Sequence, residues 1–302
     1  MMQNRLIIDT DIGSDIDDAM ALALAMKSKE IIIEGITTVY GNAELRARIT
    51  KKLLQLGNQK NIKVFAGVSQ SLLFNRDIWM AGHEGEGILT EDEHIEYDSG
   101  HAVDFIIQTI MKNPGEITLI AIGPLTNIAT AIIREPSIVK NVKEIIIMGG
   151  VTRLGDNSLT LPINEHNIRC DPEAASIVFS SKAPICMVGL DVTYKVTFTK
   201  FHRDQLENSK TPLNLALVNQ LDRWFAFIKE DITKMHDPLT VSIAINRDIV
   251  KTEKAKVHVE YDHRQMTGTT IAIPDKSGNV EICLDVDSRR FNNILLRRLL
   301  DE

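Results

Sequence analysis

The feature that most restricts how this chain can fold is a rhythm. Short apolar runs, each bounded by Gly, Asp or Pro, alternate with amphipathic stretches. "RLIID" precedes 17–28, "IIIEGITTV" precedes 43–56, "KVFAG" precedes 102–112, "ITLIAIG" precedes 124–133, "EIIIMGG" precedes 172–180, and "ICMVG" ends the series. Strands separated by helices must cross over to pair in parallel, and a parallel sheet is covered by helices on both faces. The expected class is therefore α/β, a mainly parallel open sheet flanked by helices. After Asp191 the rhythm changes to a helical C-terminal part, with helical patterns at 199–207, 213–235 and 238–245. Three strand-like runs follow, "AKVHVEY", "GTTIAIP" and "VEICLDV", and "DSRRFNNILLRRLL" closes as a helix capped by Ser288. No linker, composition shift or internal repeat divides the 302 residues, which predicts a single domain, 1–302. The segments 67–100 and 150–171 are too long for ordinary βα connections and read as lids or binding loops.

Composition narrows the function. A net charge of -7 and a pI near 5.7 argue against a duplex DNA partner, which needs clustered basic side chains to neutralise phosphates. Only three apolar residues follow Arg5 in the opening "MMQNRLIIDT", so neither a signal-peptide core nor a membrane span of about 20 residues is expected there. The cytoplasm is the expected location. Cys170, Cys186 and Cys283 are too few and scattered for a disulfide framework or a zinc site and read as ordinary reduced thiols.

The chemistry-bearing stretch is "DTDIGSDIDD", residues 9–18, with Asp9, Asp11, Asp15, Asp17 and Asp18 between the first strand and the first helix. In open parallel sheets the ligand site lies beyond the carboxyl ends of the strands, where helix N-termini also point. One aspartate there is a common helix cap, but five repel one another unless a cation or a protonated partner compensates. Oxygen-only ligands suit Ca²⁺ or Mg²⁺, and a flexible loop favours Ca²⁺. Other strand ends supply partners on the same rim. Asn42 ends "TTVYGN", Thr126 and Asn127 end "IAIGPLTN", and Met148 ends "EIIIM". Alone, Asn42 reads as a turn residue, Thr126 as a helix cap and Met148 as core. Glu165 and Asn167, two apart in what reads as an extended segment, point to one side and could both reach a sugar's hydroxyls. Asp171 reads as a helix start, and Asp237 before Pro238 repeats that grammar.

Taken in order, "DTDIGSDIDDAMAL", "TTVYGN", "AGHEGEG", "AIGPLTNIA", "IIIMGG", "NEHN…DPEAA", "HDPL" and "MTGTT" resemble the inosine-uridine preferring nucleoside hydrolases, the N-ribohydrolases, from about residue 5 to 270. The resemblance implies a parallel α/β fold, one bound Ca²⁺, and hydrolysis of a nucleoside's N-glycosidic bond to free base and ribose. On that pattern Asp11, Asp18, Asp237 and the backbone carbonyl of Thr126 ligate the metal, and Asp11 is also the general base toward a water on it. Asp17, Asn42, Glu165 and Asn167 grip the ribose, with Asp9 as support behind the ligands. His236 and His83 face the base, His236 as candidate acid for the leaving group, and Met148 floors the pocket. The family also implies a homodimer or homotetramer.

Two departures stand out. The family opening has one residue between the glycine and the paired aspartates, whereas this chain has three, Ser14, Asp15 and Ile16, so Asp15 competes with Asp17 for the ribose. Counting back from Glu165 places Leu159 where many members carry a ribose-binding Asn, which leaves Asn157 or Asp156 as substitutes. Base preference is expected to come from 67–100 and 213–235, where Trp224, Phe225 and Phe227 are either stacking or core residues. Two other readings compete. A haloacid-dehalogenase-like phosphohydrolase also starts with DxD, but Asp9-Thr10-Asp11 lacks the Gly-Thr continuation. A non-catalytic Ca²⁺-dependent nucleoside binder would have less need of Asp11, His236 and Asp237 together.

Overall fold

Alternate residues of a strand face opposite sides of a sheet, and in the central strands of this protein both sides are apolar. A computed structural model describes residues 3–90, 93–155, 158–262 and 264–300. Its strands are β1 (Asn4–Thr10), β2 (Ile31–Thr38), β3 (Val64–Ala66), β4 (Ile117–Ile122), β5 (Glu144–Met148), β6 (Ile185–Val188), β7 (Thr197–Thr199), β8 (Ile232–Lys234), β9 (Val250–Val259), β10 (Thr270–Pro274) and β11 (Val280–Val286). The helices are α1 (Asp17–Met26), α2 (Ala43–Leu56), α3 (Ala102–Lys112), α4 (Thr126–Arg134), α5 (Ile138–Asn141), α6 (His166–Cys170), α7 (Pro172–Ser180), α8 (Leu190–Thr193), α9 (Lys200–Ser209), α10 (Pro212–Ile228), α11 (His236–Ile245) and α12 (Ser288–Leu300).

Nine strands form one sheet in the order β10-β9-β11-β6-β5-β4-β1-β2-β3. From β11 to β3 every neighbouring pair is parallel, and β9 adds an antiparallel extension with β10. Leu6, Ile8, Ile120, Ile122 and Ile146 pack into one core with α1, α2 and α9 to α12. Ile7, Leu119, Ala121, Ile145 and Ile147 pack into a second core with α3, α4, α5 and α7. Register brings Thr10 level with Thr38 on one side and with Ile122 on the other, so three strands end along one line.

The expected class and strand series are present, and two expectations of detail are corrected. The helix read over 213–235 ends at Ile228, because Lys229 takes a left-handed φ of 58° and its N–H bonds back to the Phe225 carbonyl. The remainder forms β8, which pairs with β7 in a separate two-stranded sheet. The last helix is capped by Asp287, whose Oδ1 accepts from Arg290 N at 2.9 Å, and Ser288 is its first residue. All three cysteines are buried thiols. No described helix is long and apolar enough to cross a membrane.

Candidate active site

The acidic turn is built by the handover from β1 to α1. Thr10 ends the strand. Its hydroxyl accepts from Ile12 N at 3.1 Å and donates to Asp18 Oδ1, so the turn is tied to the helix it enters. Gly13 has φ +125°, and a Cβ on it would lie 2.9 Å from the Ile49 side chain, so a glycine is required at the bend. Asp17 and Asp18 fill the first turn of α1, where negative charge meets the positive end of the helix dipole. α11 points its own first turn at them. The N–H of Asp237 donates to Asp17 Oδ2 at 3.4 Å, and carboxylate oxygens of Asp17, Asp18 and Asp237 lie within 4.8 Å of one another, all buried. Behind them Asp9 is fully buried and accepts from Thr37 Oγ1 at 2.5 Å and Asn127 Nδ2 at 2.8 Å. Asn127 also donates to the Thr38 carbonyl and accepts from Val68 N, joining β1, β2 and the segment after β3.

The electrostatics of this cluster suit a cation. Burial, more than mutual repulsion, pushes Asp17, Asp18 and Asp237 well above the usual carboxylate range. Burial likewise raises Asp9 to about 7 and Asp15 to about 8. Without a compensating cation such groups hold protons, and with one they ionise. Every side-chain donor in the group is an oxygen, as hard divalent cations require, so these residues fit the metal that the resemblance implies.

A cleft of about 300 Å³ opens on this floor. It is lined by nine of the expected site residues: Asp11, Asp15, Asp17, Asp18, Met148, Glu165, Asn167, His236 and Asp237. Glu165 and Asn167 arrive by a different local geometry from the one expected. The segment is not extended. Glu165 caps α6, accepting from Asn167 N at 2.8 Å and Ile168 N at 3.0 Å, and this hydrogen bonding turns the chain into a helix. Asn167 donates to the Met148 carbonyl at 3.2 Å, joining α6 to β5. Burial raises Glu165. His236 Nδ1 meets Thr193 Oγ1 at 2.7 Å beside Tyr194; burial, aided by the Lys234 charge, lowers it to about 4.

Three expected residues lie outside the cleft lining. Asn42 is exposed and caps α2 through Leu45 N at 3.0 Å. His83 sits beside the acidic turn, its Nε2 2.9 Å from the Ser14 carbonyl and its ring edge-on to Phe227. Thr126 opens α4. Its carbonyl accepts from Thr130 Oγ1 and its hydroxyl donates to Asp171 Oδ2, both at 2.7 Å, so both oxygens are engaged in packing α4. Ile122, the last residue of β4, lines the cleft in its place. Asp171 is the helix cap it was read as, accepting from Ala174 N at 3.0 Å. The candidates Asp156 and Asn157 lie outside the described residues. Asn164 lines the cleft, its Nδ2 donating to the Thr267 carbonyl.

The walls were the less expected part. Both tryptophans of the chain, Trp79 and Trp224, line the cleft with Tyr194 and His166. Trp79 is edge-on to His166, and its backbone N–H donates to the Tyr40 hydroxyl at 2.8 Å. Trp224 stacks on Phe227 at 5.5 Å and is pinned through Nε1 to Thr233, whereas Phe225 is core. The rarity of tryptophan, and its place in a long loop and on a helix, was the available signal.

Comparison with known proteins matches a family model described as inosine-uridine preferring nucleoside hydrolase over residues 6–293. A pyrimidine-specific ribonucleoside hydrolase of Escherichia coli O157:H7, RihB, is 31% identical, the match covering 96% of this chain and 95% of that protein. Among solved structures, a plant nucleoside hydrolase, PpNRh1, superposes with a TM-score of 0.87 at 30% identity over 99% of both chains. A purine-preferring ribonucleoside hydrolase from Gardnerella vaginalis does so with 0.85 at 28% identity over 98% of both.

Proposed function

This chain belongs to the inosine-uridine preferring nucleoside hydrolases, and from that membership we propose a calcium-dependent ribonucleoside hydrolase whose floor of carboxylates works beneath an aromatic-walled cleft. The observation that carries the reading is the convergence of Asp17, Asp18 and Asp237, from two helices far apart in sequence, on the cleft that Asp11 also lines. Calcium would be held by Asp11, Asp18 and Asp237, with the Ile122 carbonyl in the place expected for Thr126. When bound, it neutralises the crowded carboxylates and acidifies water.

Asp11 takes the proton of the attacking water as general base. Asp17, Asn164, Glu165 and Asn167 hold the ribose hydroxyls and fix C1′ for attack, and their negative charge and dipoles favour the positive charge that grows on the sugar as the bond to the base breaks. Asp15, on the rim of the same floor, is a second carboxylate within the sugar's neighbourhood. Met148 closes the floor. Trp79, His166, Tyr194 and Trp224 form the wall against which the base lies. His236, kept neutral at pH 7 by burial, meets the departing base as a hydrogen-bond donor. His83 supports the acidic turn. A cytoplasmic homo-oligomer belongs to the same reading, and light scattering after size exclusion reads its assembly.

The names of the relatives divide between pyrimidine-specific and purine-preferring, so the test is a panel of inosine, uridine, cytidine and adenosine assayed for reducing sugar. Ribose release from at least one nucleoside, lost on chelation and restored by calcium, is the expected result. No release by the calcium-loaded protein sinks the reading, and cleavage of a phosphate monoester instead establishes the phosphohydrolase alternative.

A further inference from the structure

Arg46 has no part in the chemistry assigned above, yet it lies against it. The side chain, on the first turns of α2, is fully buried. Its Nε donates to the Tyr40 carbonyl at 2.7 Å, and its Nη1 donates to two successive carbonyls of the acidic turn, those of Asp11 and of Ile12, the latter at 2.8 Å. Nη2 is buried as well and meets no acceptor among the described residues. Tyr40 holds a left-handed φ of 67°, and its hydroxyl accepts the backbone N–H of Trp79. One guanidinium therefore touches the entrance of the acidic turn and the residue that fixes a wall of the cleft.

We propose that Arg46 is a positioning residue: by clamping the Asp11 and Ile12 carbonyls it holds the acidic turn so that the Asp11 carboxylate keeps its place toward metal and water. The proposal rests on the hydrolase reading above. Three considerations support it. A buried arginine with an unsatisfied donor is a poor stabiliser, since a well-packed apolar side chain of similar volume commonly does as well or better. Fold stability alone therefore does not account for it. Second, the clamped carbonyls stand immediately before Gly13, which holds φ +125°, and the segment Ser14-Asp15-Ile16 that leads into α1, a turn with many conformations to suppress. Third, its planar fork can hold separate acceptors at once, which a lysine ammonium does less rigidly.

Arg46→Lys separates a clamp from a mere counter-charge, because it keeps the charge and loses the planar fork. By charge Arg46 repels a cation at the floor and also favours the ionised form of Asp18, and a lysine preserves both effects. A clamp gives weaker calcium binding and slower turnover in both Arg46→Met and Arg46→Lys. The experiment compares Arg46→Met and Arg46→Lys with the wild type, measuring the calcium dissociation constant by competition with a chromophoric chelator, and kcat and KM at saturating calcium. For Arg46→Met the expected result is a calcium dissociation constant raised about tenfold and kcat lowered about 10- to 100-fold with KM within about threefold, as misplacement of a catalytic group by about 1 Å produces. Arg46→Lys should recover only part of both losses.

Unchanged or tighter calcium binding together with wild-type kcat overturns the proposal, as does a lowered melting temperature with no change in either constant. Should Arg46→Met fail to fold, Arg46→Lys decides alone, and wild-type values for both quantities overturn it. A wild type that releases no ribose sinks the hydrolase reading and leaves the calcium arm to judge Arg46. An active wild type with indifferent Arg46 variants sinks the clamp only.

Discussion

The floor and the walls of the cleft are made in different ways. The floor comes from places the fold cannot move: the end of β1, the first turns of α1 and α11, and the last residue of β5, all buried. The walls come from the long segments after β3 and β5 and from the outer face of α10, where Trp79 is 44% exposed and Trp224 half-buried. A rigid floor can hold carboxylates whose crowding opposes folding, while exposed walls can change their side chains without disturbing the sheet. On the proposed reading, this division gives the reaction to the floor and the choice of base to the walls.

Removing calcium tests the floor hardest. Chelation should take turnover to background, with recovery on adding calcium back, and survival of most activity would detach the acidic cluster from the reaction. Next comes Asp11→Asn, which should lower kcat by about 10²- to 10⁴-fold, the span of general base catalysis, while circular dichroism stays native. A wall substitution should be milder and of another kind. Trp79→Ala should raise KM by about tenfold, the loss of roughly one aromatic contact of about 1.4 kcal/mol, and leave kcat within about threefold. An equal fall in kcat would erase the distinction between floor and wall.

The smallest effect concerns pH. Groups whose pKa is raised by folding stabilise the fold fully below the unfolded value, about 3.9 for Asp, and lose that contribution as pH rises through the folded value. Asp9 at about 7 and Asp15 at about 8, with Asp17, Asp18 and Asp237 raised in the same direction, set the window. Chelator-treated protein should lose on the order of a few degrees of melting temperature between pH 5 and pH 8, and calcium-saturated protein should not. Parallel curves would show that the cluster does not carry the linkage.

The same division explains what could be read in advance. The parallel sheet and the acidic floor were legible because strand alternation, glycine at the bend and carboxylates at a strand end are local patterns with one physical meaning. Asp17, Asp18 and Asp237 come together because two strand-to-helix handovers, one from β1 in the large sheet and one from β8 in the small one, aim their first helical turns at one spot. What was not legible depends on hydrogen bonds between distant segments. The contacts of Thr126 with Thr130 and Asp171, from the next helical turn and a loop 45 residues away, are not written in its local sequence. Asn42 turned out to cap its own helix. β7 and β8, three residues each, were too short to impose a period of two on the sequence. Trp79 carries no periodic pattern, only the rarity of its residue type, since its place is set by Tyr40, 39 residues away.

α1 has no face turned to water: from Asp17 to Ala25 every residue is buried, between the sheet and the helices packed over it. A helix with an exposed stripe can drift in sequence there, but this one has no neutral positions on which drift could occur. Random mutagenesis across 19–25 should return almost only small and aliphatic replacements. Variation that adapts the enzyme to new nucleosides should therefore accumulate in the exposed walls, with the segment that carries the acids standing still.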